Sequence, residues 1–399
     1  MSSEGRIQNI WLFVFCFLAS FLCFVTRVNI SIAAPEMIAQ GWTEAEMGII
    51  LSAFFWGYVI MQIPGGVLAD RYGGKLIMSS GVFFFSLFTC LTPLSPKVWM
   101  MSIIRGLVGV GQGANFPCVT NLISRLAKPH HMARLQGFTL SGAHIGPLIA
   151  LPAGAWIVGR YGWPSIFYVS GLIGFLWCIL FVLKVGDIKT DDCVTRPRIP
   201  WKRLLTDKSS WGLTVSYFSH NYTAYFFLAW LPTYLIQAQG FSFMSMGIVA
   251  SLPSLASFIS MNLSGWFSDL LVRKGKSPAY SRLLLIYIGM GGSAISLMLI
   301  TLCSSPFMAV FYITLASALR SISTPLYWTL TIDLAGDRAG ILASIMNTSG
   351  NFAGILAPMI SGFIVSYFAD WNLAIYMCIL AVLVGVLILI PTVGARHCG

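Results

Sequence analysis

The sequence predicts an all-α membrane protein with about twelve transmembrane helices in two pseudo-symmetric six-helix bundles. Hydrophobic residues make up 57% of the 399 residues and charged residues only 9%, whereas a soluble domain carries roughly a quarter charged residues. The apolar runs are long and unbroken, which favours helices over the alternating strands of a membrane β-barrel. Short motifs of the first half of the chain also recur in the second half.

Polar, turn-rich breaks divide the apolar sequence into twelve predicted segments. The apolar run at residues 10–34 is longer than a signal-peptide core and lacks a clear cleavage site, so we interpret it as a retained first helix. In chain order, the predicted segments are 9–34, 44–69, 74–94, 98–124, 132–160, 163–185, 209–239, 243–271, 279–304, 306–333, 337–368 and 371–394.

The distribution of basic residues predicts the orientation of these segments. Nearly all Lys and Arg residues outside the predicted helices fall in loops on one side of the membrane, whereas the opposite loops hold only Lys97 and Arg160. Such a bias places both termini in the cytoplasm, and we expect a bacterial inner membrane. The formal net charge of +11 therefore reflects orientation and does not indicate a nucleic-acid partner.

A hydrophilic stretch near the middle of the chain predicts the division into halves. Residues 186–208 are expected to form a cytoplasmic linker between an N-terminal six-helix bundle, residues 1–185, and a C-terminal bundle, residues 209–399. The repeat supports this division, because the residues from Gly66 to Asp70 and those from Gly41 to Thr43 recur in the second half at the same spacing.

One loop motif carries a resemblance to a known superfamily. The residues from Gly65 to Lys75 read Gly-Gly-Val-Leu-Ala-Asp-Arg-Tyr-Gly-Gly-Lys, and a related copy begins at Gly265. This segment resembles the signature loop of the major facilitator superfamily, in which glycines allow close helix approach. In that family the loop network latches the outward-facing state. The resemblance therefore implies a gating role for Gly66, Asp70, Arg71, Gly265 and Asp269.

Three longer stretches resemble one branch of that superfamily. They are residues 52–66, 105–117 and 162–168. They look like the anion:cation symporter family (solute carrier family 17), which includes sialin and the vesicular glutamate, plant phosphate, and bacterial hexuronate and galactonate transporters. The resemblance implies alternating-access transport of a small organic anion, such as a sugar acid or an acidic metabolite, that is coupled to H⁺ or Na⁺ or is facilitative.

The resemblance also implies a substrate site. The family binds its anion with an arginine on helix 1 and another on helix 4, and the matching positions are Arg27 and Arg105. The physics agrees, because a charge inside a membrane helix costs at least about 2.5–3.5 kcal/mol and normally serves a purpose there. The guanidinium fork also suits a carboxylate. The alternatives are structural pairing with a carboxylate or with a backbone group, or a side chain that extends toward the membrane surface. The other predicted substrate-binding residues are Gln112, Tyr58, His220, Tyr225, Trp328 and Asn351, and for Arg320 the choice between site and outer vestibule stays open.

Two positions depart from the family pattern. Thr26 precedes the first arginine where the bacterial members have an acid, and Gln112 follows Arg105 by seven residues where most members have a glutamate. Neither side chain can carry a proton. The coupling candidates are therefore His144, His220 and Glu36, and the sequence leaves open a relocated proton site, another coupling ion or uncoupled transport.

Other classes of function are less well supported. No HExxH motif and no paired acids within helices point to a membrane enzyme, and no cofactor or metal site is predicted. A multidrug exporter would usually place an acid in its cavity, whereas the predicted site is cationic. A non-transporting receptor of the same fold stays open. We expect a monomer whose partners are the anion, a coupling ion and the lipid bilayer.

Overall fold

The computed structural model describes the backbone of residues 3–126, 129–185, 207–335 and 339–394. It describes the side chains of residues 11–123, 135–185, 207–268, 270–334 and 342–393. Throughout these ranges the chain is helical apart from short turns, without β-strands. Most of the predicted linker, at residues 186–206, lies outside the described residues, as does the side chain of Asp269.

Fourteen α-helices account for nearly all of the described backbone, together with a 3₁₀ turn at Thr92–Leu94 and a π turn at Ile390–Gly394. In chain order, they are α1 (Ser3–Ala39), α2 (Glu44–Tyr72), α3 (Gly74–Leu91), α4 (Val98–Gly113), α5 (Asn115–Leu126), α6 (Pro129–Tyr161), α7 (Pro164–Lys184), α8 (Lys208–Gln237), α9 (Phe243–Arg273), α10 (Pro278–Leu302), α11 (Pro306–Ile322), α12 (Thr324–Ala335), α13 (Ala339–Phe368) and α14 (Trp371–Leu389).

Two of the predicted segments, 98–124 and 306–333, are each interrupted by a one-residue turn. The second still forms one candidate membrane span, Pro306–Leu334. The first breaks at Ala114, between α4 and α5, and the second breaks at Ser323, between α11 and α12. A proline follows each break: Pro117 in α5 and Pro325 in α12. Proline lacks an N–H donor and its ring clashes with the carbonyl four residues earlier, which ends the preceding helix.

Ten of the helical stretches within the described residues are long and apolar enough to cross a membrane. The two predicted segments missing from this set are the one divided between α4 and α5 and the one that forms α8. The α4 helix has only 16 residues because of its break, and α8 carries many polar side chains, such as His220 and Asn221.

Close helix contact brings α2 against α4. A methyl group at Gly109 of α4 would overlap the carbonyl oxygen of Phe54 and lie 2.8 Å from the backbone nitrogen of Tyr58. A methyl group at Gly57 would likewise overlap the carbonyl oxygen of Gly106. Glycine thus lets the two backbones approach closely, which places Phe54 and Tyr58 beside the α4 helix.

Gly109→Ala is expected to destabilise the protein by about 1–3 kcal/mol, because the backbone atoms that it meets cannot move aside as a side chain can. The measurement is thermal unfolding of the purified protein in detergent. Gly106→Ala is the matched control on the same helix, since its methyl group would lie 3.5 Å from the carbonyl oxygen of Ala53, an ordinary contact. Equal melting temperatures for the two variants would contradict the close approach.

Several acids at the starts of helices have a structural role. Thr43 and Glu46 form a capping box at the start of α2, in which the Glu46 carboxylate accepts from the Thr43 backbone nitrogen at 2.9 Å. Asp207 accepts from the Ser210 nitrogen at 2.9 Å at the start of α8. Asp370 caps α14 in the same way. Each of these carboxylates accepts a hydrogen bond from a backbone N–H group at the start of a helix and so stabilises that helix end.

The chain divides into two compact units. The first comprises Met1–Thr195 and Ser242–Ile248, and the second comprises Arg196–Phe241 and Val249–Gly399. In the first unit, α1 packs on α6 and α7, and α2 packs on α4. The contact between α1 and α7 includes a hydrogen bond of 2.5 Å from Asn29 to Ser170. In the second unit, α8 packs on α13 and α14. Trp230 of α8 donates to the Pro358 carbonyl at 3.0 Å.

Candidate functional site

Arg27 lies in the middle of α1, within a set of aromatic rings. Its side chain is 5% exposed, so it is buried in the protein and does not extend toward the surface. Its Cζ atom lies 4.4 Å from the ring centre of Phe24, 4.7 Å from Phe54, 4.9 Å from Tyr58 and 5.9 Å from Phe55. The negative faces of aromatic rings attract a cation, and here they hold the guanidinium in place.

Arg105 approaches the same cluster from α4. Its side chain is 1% exposed, and Nη1 donates to the Thr26 carbonyl oxygen at 3.4 Å. Its Cζ atom lies 5.7 Å from the ring centre of Phe54, the ring that also contacts Arg27. The two arginines are therefore brought together through one aromatic side chain of α2.

Gln112 joins the two helices that carry the arginines. Its amide nitrogen donates to the Thr26 hydroxyl at 2.7 Å, and its amide oxygen accepts from Nη2 of Arg27 at 3.5 Å. The Thr26 hydroxyl in turn donates to the Leu22 carbonyl at 2.8 Å. The two residues that replace the family's acids thus bond to each other and leave the arginines without a carboxylate.

No described carboxylate neutralises the charge of this cluster. Among the described side chains, no carboxylate pairs with Arg27 or Arg105. The Nε atoms of both arginines are buried and have no hydrogen-bond partner in the described part of the chain. A buried cation without a counter-charge is costly, so the arrangement favours binding of an anion.

His220 and Arg320 meet in the second unit. Nη1 of Arg320 lies 3.0 Å from Nε2 of His220, and the Thr324 hydroxyl lies 3.2 Å from the same nitrogen. The His220 ring stacks on Tyr217 with a centroid separation of 5.8 Å. His220 is 1% exposed and Arg320 is half-buried. Arg320, which the sequence left undecided, thus contacts a predicted site residue.

The remaining predicted substrate residues lie in two places in the second unit. Tyr225 donates to the Asn351 side chain at 2.9 Å, which connects α8 to α13. Trp328 packs edge-on against Tyr217 at 6.3 Å and is 40% exposed. Asn351 also donates to the Asn347 carbonyl at 2.9 Å, so both the oxygen and the nitrogen of its side-chain amide have hydrogen-bond partners.

Sequence reasoning missed several residues that build these clusters. They are Phe24, Phe54, Tyr217 and Thr324. A signal was present for Phe54, because it precedes Tyr58 by one helical turn and shares its face of α2. No comparable pattern in the sequence indicated that Tyr217 stacks on His220 or that Thr324 contacts His220.

Comparison with known proteins decides the family. The sequence profile of the Major Facilitator Superfamily matches residues 16–358. The chain belongs to the Major Facilitator Superfamily. The predicted fold is confirmed, and the protein is a transporter and not an enzyme. The solved inward-facing, occupied structure of a bacterial homolog of the human lysosomal transporter Spinster superposes with a TM-score of 0.85, at 16% identity, over 100% of this chain and 98% of that one.

Two relatives confirm the resemblance to anion transporters of the Major Facilitator Superfamily. "Probable anion transporter 4, chloroplastic" of Oryza sativa subsp. japonica is 32% identical over 393 residues, which cover 94% of this chain and 66% of the rice protein. The chain thus spans just under two thirds of that relative's length. "Ascorbate transporter, chloroplastic" of Arabidopsis thaliana is 30% identical over 416 residues, which cover 96% of this chain and 77% of that protein.

The signature loop of this superfamily member joins α2 to α3. Asp70 accepts a hydrogen bond of 2.8 Å from Asn121 of α5, and the exposed Arg71 lies over the Tyr72 ring at 5.3 Å. Gly65 makes a close helix approach in this loop, and Gly66 does not. A methyl group at Gly65 would lie 2.6 Å from the Cβ of Ala114, the residue between α4 and α5, whereas one at Gly66 would lie 3.6 Å from Pro117 of α5, an ordinary contact.

The second copy of the loop is more open. A methyl group at Gly265 would meet nothing within 4 Å, so this glycine does not mediate a close helix contact. The Asp269 side chain lies outside the described residues. Nearby in the second unit, Arg282 of α10 forms an ion pair with Asp333 of α12. Asp333 is therefore neutralised by a basic residue near the end of the helices.

Of the other coupling candidates, Glu36 lies apart from the arginine cluster. Glu36 is half-buried near the end of α1 and accepts from Gln40 at 3.2 Å. It follows Arg27 by nine residues, or about 13 Å along the helix. His144 is half-buried on α6, which packs against α1. Glu36 is not among the contacts of either arginine.

Proposed function

We propose that this transporter carries a small organic anion with a carboxylate group, which it binds through Arg27 and Arg105. The observation that carries this proposal is the pair of buried guanidinium groups whose hydrogen-bond and ring partners among the described residues are all neutral. Both are held on the Phe54 ring, and both retain an unpaired Nε donor in the described part of the chain.

The chemistry of the cluster favours a carboxylate. A guanidinium presents parallel N–H donors that match the two oxygens of a carboxylate, and such charge-assisted pairs are stronger than neutral hydrogen bonds. A lipophilic cation would meet two like charges, so the same cluster argues against the exporter alternative. Aromatic rings around Arg27 exclude water, which strengthens the attraction for a bound anion.

The relatives support the substrate class. The names of the rice and Arabidopsis proteins describe one as a probable anion transporter and the other as an ascorbate transporter. Ascorbate is a small organic anion, so an organic acid of similar size fits the proposal. The other members of the substrate site in this proposal are Gln112, Tyr58, His220, Tyr225, Trp328 and Asn351.

Transport would proceed by alternating access of two six-helix bundles, residues 1–185 and 209–399, joined by a cytoplasmic linker at residues 186–208. The repeat supports the two bundles, and the charge bias supports cytoplasmic termini. The membrane would be a bacterial inner membrane. We propose a monomer, since each bundle of this fold supplies its own half of the transporter. The gating residues would be Gly66, Asp70, Arg71, Gly265 and Asp269.

A thermal-shift comparison tests the substrate site. D-glucuronate is expected to raise the melting temperature of the purified protein, whereas D-glucose, which lacks the carboxylate, is not. Arg27→Ala is expected to abolish most of this stabilisation. A ligand raises the melting temperature only by binding to the folded protein, and the variant lacks a guanidinium that would bind the carboxylate. Arg160→Ala is the control, since Arg160 is exposed on α6.

Three outcomes would contradict the proposal. The first is equal stabilisation of wild type and Arg27→Ala by D-glucuronate. The second is stabilisation by the lipophilic cation tetraphenylphosphonium but by none of D-glucuronate, D-gluconate and N-acetylneuraminate, which would favour an exporter. The third is binding without uptake of the same anion into proteoliposomes, which would indicate a receptor.

A further inference from the structure

The connection between α9 and α10 carries a cluster of exposed basic side chains. Arg273, Lys274 and Lys276, called the basic turn below, lie within four consecutive residues, and all three are exposed. None of them forms an ion pair among the described side chains. In the sequence from residue 269 to residue 282, four basic residues stand against one acid. The basic turn therefore presents an excess of positive charge on the surface of the second unit.

Hydrogen bonds fix the backbone that carries these charges. The backbone nitrogens of Gly275 and Lys276 donate to the carbonyl oxygens of Val272 and Leu271, at 3.0 and 3.2 Å. This pair of bonds is the Schellman motif that ends a helix, and Gly275 supplies its left-handed residue with a φ of 85°. Ser277 then caps α10, since its hydroxyl accepts from a backbone nitrogen at 3.2 Å. The basic side chains thus extend from a short turn of defined shape.

The basic turn lies between two candidate membrane spans. The helices that flank it, α9 over Phe243–Arg273 and α10 over Pro278–Leu302, are both long and apolar enough to cross a bilayer. Only residues 274–277 separate them. Because the connection is so short, it stays at the membrane surface, at the depth of the lipid phosphates.

A row of exposed apolar side chains on α9 leads to the basic turn. Ile259, Leu263 and Trp266, called the apolar stripe below, are all exposed. Their spacing of four and three residues continues through Leu270 to Arg273, and residues spaced in this way share one face of an α-helix. From Leu263 to Arg273 the helix rises about 15 Å, half of the roughly 30 Å hydrocarbon core of a bilayer. The apolar stripe therefore runs from the charged surface into the membrane interior.

Tyr280 adds a neutral donor beside the charges. Its ring centre lies 5.8 Å from Nζ of Lys276, and its side chain is exposed at the first turns of α10. Tyrosine is favoured at the level of lipid headgroups, and its hydroxyl can donate to a phosphate oxygen.

We propose that the basic turn and the apolar stripe bind an anionic phospholipid. Its phosphate lies at Lys274 and Lys276, and one acyl chain lies along Trp266 and Leu263. A soluble phosphate would contact only the cations and would leave the apolar stripe unused. A zwitterionic phospholipid carries its own ammonium group, which the basic turn repels. This inference concerns the bilayer around the protein and is independent of the transported substrate.

Photolabelling of the wild-type protein is the first test. The protein is placed in phosphatidylcholine nanodiscs that contain a subsaturating fraction of phosphatidylglycerol with a diazirine in its acyl chain. After illumination, mass spectrometry locates the label. The segment at residues 259–273 is expected to be labelled, and less so at high salt, which screens the charges. The same diazirine on phosphatidylcholine should label this segment about fivefold less or weaker still. Equal labelling by the two lipids would overturn the proposal.

A pair of double variants is the second test. Lys274→Gln/Lys276→Gln is expected to lower labelling by phosphatidylglycerol about 5- to 25-fold, since each basic residue near anionic lipid contributes roughly a factor of five in affinity. Lys97→Gln/Arg160→Gln removes two exposed cations from other loops and should keep the wild-type labelling. Unchanged labelling of the lysine variant, or an equal loss in both variants, would overturn the proposal. Where the lysine variant does not fold, the wild-type comparison of the two lipids decides.

Discussion

Arg105→Ala is expected to lower the affinity for the transported anion by about 10- to 100-fold and to reduce uptake at low substrate concentration accordingly. Hydrogen bonds to charged groups contribute about 1.5–3 kcal/mol, and each 1.4 kcal/mol corresponds to a factor of ten. Arg105 is 1% exposed, and no carboxylate among the described side chains neutralises its charge. The measurement is concentration-dependent uptake of radiolabelled D-glucuronate into proteoliposomes.

Arg105→Lys separates charge from geometry. Lysine keeps the positive charge but cannot offer the planar fork, so we expect it to recover only part of the lost affinity. Arg71→Ala is the matched control on the facing helix α2, because the Arg71 side chain is exposed. Loss of this proposed gating residue could slow uptake but should leave the affinity for the anion unchanged. Wild-type affinity in Arg105→Ala would show that this arginine has a structural role.

Gln112→Glu is expected to weaken anion binding at neutral pH by about tenfold or more, a cost typical of an opposing charge–charge contact. The Gln112 amide oxygen lies 3.5 Å from Nη2 of Arg27, so a carboxylate there would pair with that arginine. The substrate would then compete with a charge inside the protein. The new carboxylate would also be available to carry a proton.

The pH dependence of Gln112→Glu gives the sharper readout. Protonation at low pH neutralises the competing carboxylate, so the affinity for the anion should increase as the pH is lowered from 8 to 5.5. For each unit of pH, the affinity of the variant should rise by up to about tenfold more than that of the wild type, which corresponds to one additional proton bound with each anion. Gln237→Glu, at an exposed position near the end of α8, is the control for added negative charge. Parallel pH profiles for wild type and Gln112→Glu would contradict the contact between Gln112 and Arg27.

These predictions depend on how the first unit retains a positive charge. In a site with an acid at position 26 or 112, an arginine could be neutralised between transport steps. Here Thr26 and Gln112 bond to each other at 2.7 Å, and the arginines keep their charge. Attraction of the anion would then be independent of pH in this unit, which leaves any proton coupling to another group.

The sequence alone predicted the fold class and the candidate arginines, because both depend on local properties. Hydropathy and helix formation act over one segment, so the positions of the helices could be read from the apolar runs. A charge within such a run is visible without any contact information, and this marked Arg27, Arg105 and Arg320. The resemblance to the anion transporters then pointed to Arg27 and Arg105. The helix breaks were also signalled by Pro117 and Pro325, although their consequence for the helices was not recognised.

Only the tertiary structure decided which side chains meet. Arg320 and His220 are 100 positions apart in the chain, and Gln112 and Thr26 are 86 apart. Such pairs form where helices distant in sequence pack together, and helix packing depends on the shapes of whole surfaces and not on local periodicity. For that reason the sequence could indicate a cationic site, but the packing determined the neutral side chains that surround it.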